Sequence, residues 1–303
     1  MAQRHRTRSN NPEHGQRRLE RRILTGTVEA VPAYPATSRP GLDSKIFIAL
    51  KAVDNLIRDM RIGIDLPSDI ADGENALRSY LLHLSVLVDV VLADIGMSAL
   101  NRNDLMVRIK LRMLVEYAAK AAYFDDHRDY ALWMMTIGEA RQTLRKLRDA
   151  DSDIEMINAA SQRLADLRTR FPQLSHFERP EKIGDMIRLY GTADDAVWLY
   201  NAPSALMHGD PEGFRAMMDL APEGGYQLRI ELPLEEVNAM LVDAGRNTLM
   251  FCDRFIGCFR AGDNTLVRRY KDLYKSFLDL LLTHPAGRDA DALEVVRREF
   301  EML

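Results

Sequence analysis

Apolar residues recur every three or four positions along most of the chain after Pro40, a spacing that is typical of helices with one buried face. In the first such stretch, the spacing predicts that the inward-facing positions are Ile46, Leu50, Val53, Leu56, Ile57 and Met60. Helices are predicted in the same way at residues 43–60, 74–95, 104–124, 128–150, 152–171, 192–208, 233–259, 264–282 and 289–302. The predicted fold class is therefore all-α, a multi-helix bundle.

One short segment departs from the helical spacing. Between Tyr226 and Leu232, apolar and polar residues alternate, which is the pattern of a half-buried β-strand. The two glycines that precede Tyr226 provide a turn back towards the preceding residues. We therefore expect one small β-hairpin at about residues 215–232, within a helical domain that covers residues 43–303.

Two predicted helices in the middle of the chain follow each other almost directly. Because so little chain joins residues 128–150 to residues 152–171, we expect an antiparallel helical hairpin. Ser152 and Glu155 have the spacing of a capping box, which predicts that the second helix begins at Ser152. Pro233 is predicted to occupy the first position of the long helix that follows the β-hairpin.

The third predicted helix, residues 104–124, is apolar on nearly every side and is therefore expected in the centre of the bundle. Its polar stripe consists of Arg108, Arg112, Glu116 and Lys120, each four residues from the last. Either this stripe faces solvent, with Arg112 and Glu116 as a surface pair, or it faces inward, where an arginine can hold an anion. Tyr123 lies within about 20° of Arg112 around the helix axis. Tyr123, Arg108 and, further along the chain, Tyr200 are candidate binding residues.

A second group of polar residues lies near the end of the predicted helix at residues 192–208. Tyr200, Ser204 and His208 are four residues apart and therefore share one helical face, while Pro203 is expected to kink the helix. A histidine in the last turn, just before Gly209, is also what the helix dipole favours for structural reasons alone. The sequence places no carboxylate to orient the imidazole, so a hydrolase triad is poorly supported.

The Arg-x3-Glu motif and the Tyr-x3-Ser-x3-His-Gly motif, with a hairpin before a long helix, resemble a family of uncharacterised, mostly bacterial all-helical proteins. The resemblance covers roughly residues 75 to 260. Members of that family are loosely compared with the HEPN superfamily, whose ribonucleases use an arginine and a histidine spaced as Arg-x4-6-His. The resemblance implies an all-helical fold, and it makes Arg112, Glu116, Ser204 and His208 the candidate catalytic residues.

The HEPN spacing itself occurs in this chain at the level expected by chance. Three segments match it, including Arg78 to His83, and random placement gives about two matches. His83 lies within an apolar helix and is predicted to be buried. Because no arginine precedes His208 at that spacing, a ribonuclease would need Arg112 from another helix. Arg112 would then neutralise the phosphate, and His208 would move the proton of the 2′-hydroxyl or of the leaving oxygen.

The first 42 residues differ in charge from the rest of the chain. They contain eight arginines and three glutamates, a net charge of +5, which leaves −9 for the remainder. The predicted nucleic-acid contacts of this arm are Arg17, Arg18, Arg21 and Arg22. The alternative is that residues 1–42 form a flexible, solvated tail, because polar and proline-containing segments rarely bury a core.

Cofactor, metal and membrane functions find little support in the sequence. The acidic cluster from Asp125 to Asp129 is interpreted as a turn between helices, and no metal-ligand or dinucleotide motif is present. Cys252 and Cys258 lie six residues apart on one predicted helix, too far apart for a disulfide. The apolar run at residues 81–93 is shorter than the roughly 20 residues that a membrane span requires. We expect neither cofactor nor membrane insertion, and a cytoplasmic location.

Two functional hypotheses remain. The first is a non-enzymatic helical module that binds a protein partner, a second copy of itself or, through the basic arm, nucleic acid. The second is a metal-independent ribonuclease or another phosphate-directed enzyme that uses the arginine, glutamate, serine and histidine named above. Convergence of those side chains in one pocket favours the enzyme, whereas their separation favours the module.

Overall fold

The computed structural model describes residues 39–65, 69–190, 200, 218–220, 226–228, 231–285, 294 and 298. The helices of this described part are α1 Ser44–Arg61, α2 Gly73–Leu100, α3 Asp104–Asp126, α4 Arg128–Trp133, α5 Glu139–Asp149, α6 Ile154–Arg170, α7 Ile183–Tyr190, α8 Leu234–Phe259 and α9 Asn264–Thr283. A π-helical segment, Met134–Gly138, joins α4 to α5, and a 3-10 helix, Pro172–His176, follows α6. The all-α class is confirmed for these residues.

Two three-residue strands lie between α7 and α8. Strand β1, Met218–Leu220, pairs antiparallel with β2, Tyr226–Leu228, so that Met218 is opposite Leu228 and Leu220 is opposite Tyr226. This ladder is shorter than the predicted hairpin at residues 215–232. The predicted helix at residues 192–208 and most of that at residues 289–302 lie outside the described residues.

Short polar side chains begin most of the helices. Asp43, Asp72 and Asp263 each accept a hydrogen bond from a backbone N–H in the first turn that follows. At α6 the cap is Asp153, whose carboxylate accepts from the backbone N–H of Glu155, so the predicted cap at Ser152 was wrong by one residue. Pro233 likewise precedes the first residue of α8 instead of occupying that position.

The centre of the bundle is formed by α2, α3 and α8, which all pack against one another. Helix α1 packs on α2 and α8, α9 covers α1 and α8, and α7 lies against α3. The predicted central position of α3 is therefore confirmed. The predicted helical hairpin is also present, since α6 packs against α5.

Helix α2 is long and apolar enough to span a membrane by length and composition alone. Its mean hydropathy reaches 1.8 over 18 residues, but half of that window is buried inside the protein. It packs with α1, α3, α4 and α8, and Asp89 within it forms an ion pair with Arg61 of α1 at 2.6 Å. These contacts are those of the core helix of a bundle.

A buried ion pair fixes the beginning of the described chain to α3. The Arg39 guanidinium, 4% exposed, donates to both carboxylate oxygens of Asp104, at 2.5 and 2.8 Å. The backbone N–H of Leu232 donates to the same carboxylate at 2.7 Å. The last residues of the predicted arm at residues 1–42 are therefore packed against the helices. Leu42 is buried as well.

Candidate functional site

The charged stripe of α3 is largely buried. Arg112 Nη2 lies 2.8 Å from Glu116 Oε1, and Lys120 Nζ lies 3.7 Å from Glu116 Oε2. The Arg112 and Glu116 side chains are only 12% and 18% exposed. This geometry corresponds to the inward-facing interpretation of the stripe and not to a solvent-facing edge.

Tyr200 completes the covering of this pair. The Arg112 guanidinium carbon lies 4.8 Å from the centre of the Tyr200 ring, which is a cation–π contact. Gly184 of α7 lies beside the same ring, and a Cβ atom added there would be in ordinary contact with it at 4.0 Å. The structure thus brings Arg112, Glu116 and Tyr200 together, whereas Ser204 and His208 lie outside the described residues.

Arg108, one turn before Arg112, points to a different neighbour. Its guanidinium forms an ion pair with the carboxylate of Glu236 in the first turn of α8. This pair joins α3 to α8. Arg108 would have to give up this internal contact in order to bind a ligand. Arg17, Arg18, Arg21 and Arg22 lie outside the described residues.

Tyr123 belongs to another part of the surface. It lies 11 positions after Arg112, which is about 16 Å along the helix axis, so the shared helical face does not bring the two side chains together. The Tyr123 ring contacts His127, Tyr130 and Tyr190, with ring centres 4.3, 5.2 and 6.2 Å apart. Burial raises the pKa of Tyr123, and the negative charge of Glu181 adds to the effect.

An open pocket of about 480 Å³ lies beside Tyr123, where α3 ends and α4 begins. Its lining residues are Tyr123, Asp125, Asp126, His127, Arg128, Asp129, Tyr130 and Phe177. The acidic cluster lies at a junction between helices, as interpreted, but only His127 is outside them: Asp125 and Asp126 end α3, and Asp129 is in the first turn of α4.

Several acids of this pocket have protein partners. Asp125 is paired with Arg128 at 3.2 Å and with Arg254 at 3.3 Å. Tyr190 donates its hydroxyl to Asp126 at 2.8 Å, and burial together with this hydrogen bond raises the pKa of Tyr190 to about 12. Among the residues that the structure describes, no three histidine, cysteine or acidic side chains are grouped as metal ligands.

A pair of buried aspartates was not predicted as a site. Asp54 of α1 and Asp89 of α2 face each other among Lys51, Arg58 and Arg61. Burial, and then the hydrogen bond with Asp54, raises the pKa of Asp89 to about 6. Burial also acts to raise the pKa of Asp54, but its hydrogen bonds with Asp89 and Lys51 hold that pKa below its ordinary value. The position of Asp89 inside an apolar run was the only signal in the sequence.

The arginine–histidine spacing at Arg78 and His83 does not form a site. Residues five apart on a helix point about 140° away from each other. The Arg78 guanidinium lies over the Phe259 ring at 4.8 Å, and His83 Nδ1 is 2.7 Å from the Ser79 carbonyl oxygen. His83 is exposed, so the prediction that it is buried was wrong.

The two cysteines are separate thiols, as predicted. Cys252 is buried, and burial raises the pKa of its thiol well above the ordinary range. Burial raises the pKa of Cys258 to about 12, with a further contribution from Glu74. Neither thiol is therefore ionised near neutral pH, which excludes both as activated nucleophiles.

The described part of the predicted catalytic set is the pair Arg112 and Glu116, with Lys120 near the carboxylate and the Tyr200 ring against the guanidinium. These ion pairs can fix the orientation of side chains on the surface of α3. The charge of the Arg112 guanidinium is already neutralised by the Glu116 carboxylate. Comparison of the chain with protein-family models, with curated proteins and with solved structures found no significant match.

Proposed function

We propose that this protein is a non-enzymatic helical interaction module that contacts nucleic acid through its basic N-terminal segment. The supporting observation is that the charges of the α3 stripe are used inside the molecule. Arg112 is paired with Glu116, Lys120 lies near the same carboxylate, and Arg108 is paired across helices. The module would act in the cytoplasm.

The pairing of Arg112 is the physical argument against a catalytic role. An arginine that stabilises a phosphate in a transition state must direct its donors at the substrate. Here one donor is 2.8 Å from Glu116, and separating the pair would leave a carboxylate only 18% exposed without its partner. The guanidinium therefore contributes more to the structure than to an anion site.

Nucleic acid is the partner that the charge distribution favours. Residues 1–42 carry a net charge of +5, and the remainder carries −9. A broad basic channel on the helical domain is therefore unfavourable, whereas a short arginine-rich segment can pair with phosphates and release counterions. The residues that we expect to make these contacts are Arg17, Arg18, Arg21 and Arg22.

The test measures binding of the full chain to a fluorescent single-stranded RNA of about 20 nucleotides at several salt concentrations. A variant with all four arginines changed to glutamine should bind at least about 10-fold more weakly at low salt, and its salt slope should fall by about three. The matched control changes four exposed arginines of α5 and α6 to glutamine: Arg145, Arg148, Arg163 and Arg168.

Equal weakening in both variants, or no binding by the parent protein, would overturn the proposal. A parallel assay follows RNA cleavage in EDTA by the parent, by His208→Ala and by Arg112→Ala, with folding checked by circular dichroism. Cleavage that is lost in both folded variants would support the metal-independent ribonuclease instead.

A further inference from the structure

We propose that the pocket between α3, α4 and Phe177 binds a quaternary or N-methylated ammonium group. Its walls include Tyr123, Tyr130 and Phe177. The Tyr123 and Tyr130 rings meet at 88° with centres 5.2 Å apart, and the Tyr130 and Phe177 rings meet at 70° with centres 5.5 Å apart. Tyr130 is only 1% exposed and lies behind the other two rings, so the partly exposed rings of Tyr123 and Phe177 are the ones that can attract a cation.

The size of the pocket indicates what kind of molecule carries the cation. At about 480 Å³ it falls in the range of roughly 300–1,000 Å³ that small-molecule sites occupy. A single trimethylammonium group fills only part of this space. The cation is therefore the end group of a larger molecule, such as a choline-like compound or a methylated lysine side chain.

The charges around the pocket select a cation over an anion. Asp125, Asp126 and Asp129 line the pocket. Arg128 lines it as well, and Arg254 is nearby because it pairs with Asp125. Glu181 adds a further negative charge close enough to raise the pKa of Tyr123. Among the lining residues, three carboxylates thus accompany one guanidinium, which leaves an excess of negative charge beside the aromatic rings.

The interior side of the pocket wall holds a second unusual feature. The Trp133 ring packs against Tyr130 and Phe177, with centres 5.6 and 5.9 Å away. Its Nε1 is buried and has no hydrogen-bond partner among the described residues. The π-helical segment Met134–Gly138 begins directly after it, and such segments occur frequently at functional sites. The π-helical segment thus follows the helix α4 that carries part of the pocket wall, although none of its own residues lines the pocket.

A weakly hydrated ammonium suits this site better than a metal ion. Asp125 is held by two arginines and Asp126 by Tyr190, so these oxygens are not free to surround a metal. Aromatic faces cannot replace the tightly bound water of a small hydrated ion, but they can cover the methyl groups of a quaternary ammonium. This proposal is independent of the proposed nucleic-acid contact.

Isothermal titration calorimetry of the full chain with choline, tetramethylammonium and Nε-trimethyllysine tests the proposal. The neutral control is 3,3-dimethyl-1-butanol, which has the shape of choline without its charge. We expect saturable binding of the ammonium compounds and at least about 10-fold weaker binding of the alcohol. Tighter binding of trimethyllysine than of choline would identify a methylated protein as the source of the group, and the reverse order would identify a small metabolite.

Three variants locate the site. Tyr123→Leu should weaken choline binding about 10-fold, whereas Tyr123→Phe, which keeps the ring and checks folding, should bind like the parent. Asp129→Asn should weaken binding about threefold, and Asp149→Asn, a change at an exposed acid of α5, should have no effect. Trp133 fluorescence in a Trp198→Phe background gives a second readout.

The proposal fails if no ammonium probe gives saturable binding up to about 50 mM, because any affinity weaker than this is too low for a specific site. It also fails if the neutral alcohol binds as well as choline. Unchanged choline binding by Tyr123→Leu would show that the cation binds elsewhere on the protein.

Discussion

Two of the arginine–carboxylate pairs on helix α3 are of opposite kinds. Asp104, at its beginning, binds Arg39, which is 65 residues away in sequence, and also accepts from the backbone of Leu232. Glu116, in its middle, binds Arg112 only four residues away on the same helix. The first carboxylate is fully buried, whereas the second is 18% exposed.

The difference lies in what each pair holds together. The Arg39–Asp104 pair joins three segments of chain, and removal of either partner leaves an uncompensated charge in the core. The Arg112–Glu116 pair involves one helix, so it can form before any tertiary contact and contributes to the orientation of side chains on α3. Similar chemistry thus serves tertiary structure at one site and local structure at the other.

The largest expected effect comes from the buried pair. Asp104→Ala should lower the free energy of unfolding by about 3–5 kcal/mol, because Arg39 and the Leu232 N–H lose their acceptor in the core. Asp104→Asn keeps an acceptor oxygen and should lose less. Urea denaturation of both variants measures this, and a loss below about 1 kcal/mol for the alanine variant would contradict the assigned role.

The buried aspartates Asp54 and Asp89 should differ from both of these pairs, because they should make the stability of the protein depend on pH. The pKa of Asp89 in the folded protein, about 6, is above its unfolded value, so the folded state binds a proton first and stability should rise as pH falls from about 7 to about 4. The lowered pKa of Asp54 acts only at more acidic pH, where its contribution to stability is lost as it becomes protonated.

Asp89→Asn imitates the protonated form and offers an N–H to Asp54. It should raise Tm by about 2–4 °C near pH 7.5 and flatten the dependence of Tm on pH between about 4 and 7. Calorimetric scans across that range provide the measurement. Asp94→Asn, a change at an exposed acid of the same helix, is the matched control and should leave the parent profile intact. Parallel profiles for the parent and Asp89→Asn would refute the assignment.

The pair in the middle of α3 should have a smaller effect. Glu116→Gln should lower the free energy of unfolding by about 1 kcal/mol, since the amide oxygen still accepts from Arg112 but the charge is lost. A cost as large as that of Asp104→Ala would mean that this pair also supports tertiary structure. Chemical denaturation of the two variants side by side decides the point.

The smallest effect is expected at the fully exposed counterpart on α5. Arg145 and Asp149 form an i,i+4 pair at 3.5 Å, with side chains 83% and 69% exposed. Asp149→Asn should change the free energy of unfolding by at most about 0.5 kcal/mol, and added salt should abolish the difference. A larger effect, or one that salt does not change, would show that side-chain exposure does not determine how much each of these pairs contributes to stability.

Periodicity in the sequence was sufficient to predict most of the described helices, the central position of α3 and the α5–α6 hairpin, because these features depend on local spacing and on the amount of apolar surface. It did not predict α7, nor the π-helical segment that divides the predicted helix at residues 128–150. In α2 the spacing also identified the covered face, since Leu77, Leu81, Leu84, Val88 and Val91 are all buried. Its error was His83, which was expected inside because its neighbours are apolar, yet it is exposed together with Leu87 and Val90.

The candidate site shows the same limit. The inward stripe on α3 was one of two predicted alternatives, but Tyr123 was grouped with Arg112 by angle although the rise along the helix separates them. The Arg39–Asp104 and Asp54–Asp89 contacts join residues that are distant in sequence. Their pairing depends on how whole helices meet, which no local pattern contains.

The anchor at Asp104 also has a kinetic consequence. Its carboxylate joins residues 65 and 128 positions away, so both contacts require the closure of long loops and increase the contact order of the fold. We expect contacts of this kind to form after the folding transition state. Loss of Asp104 should then accelerate unfolding and shorten the lifetime of the native state, while the folding rate changes little.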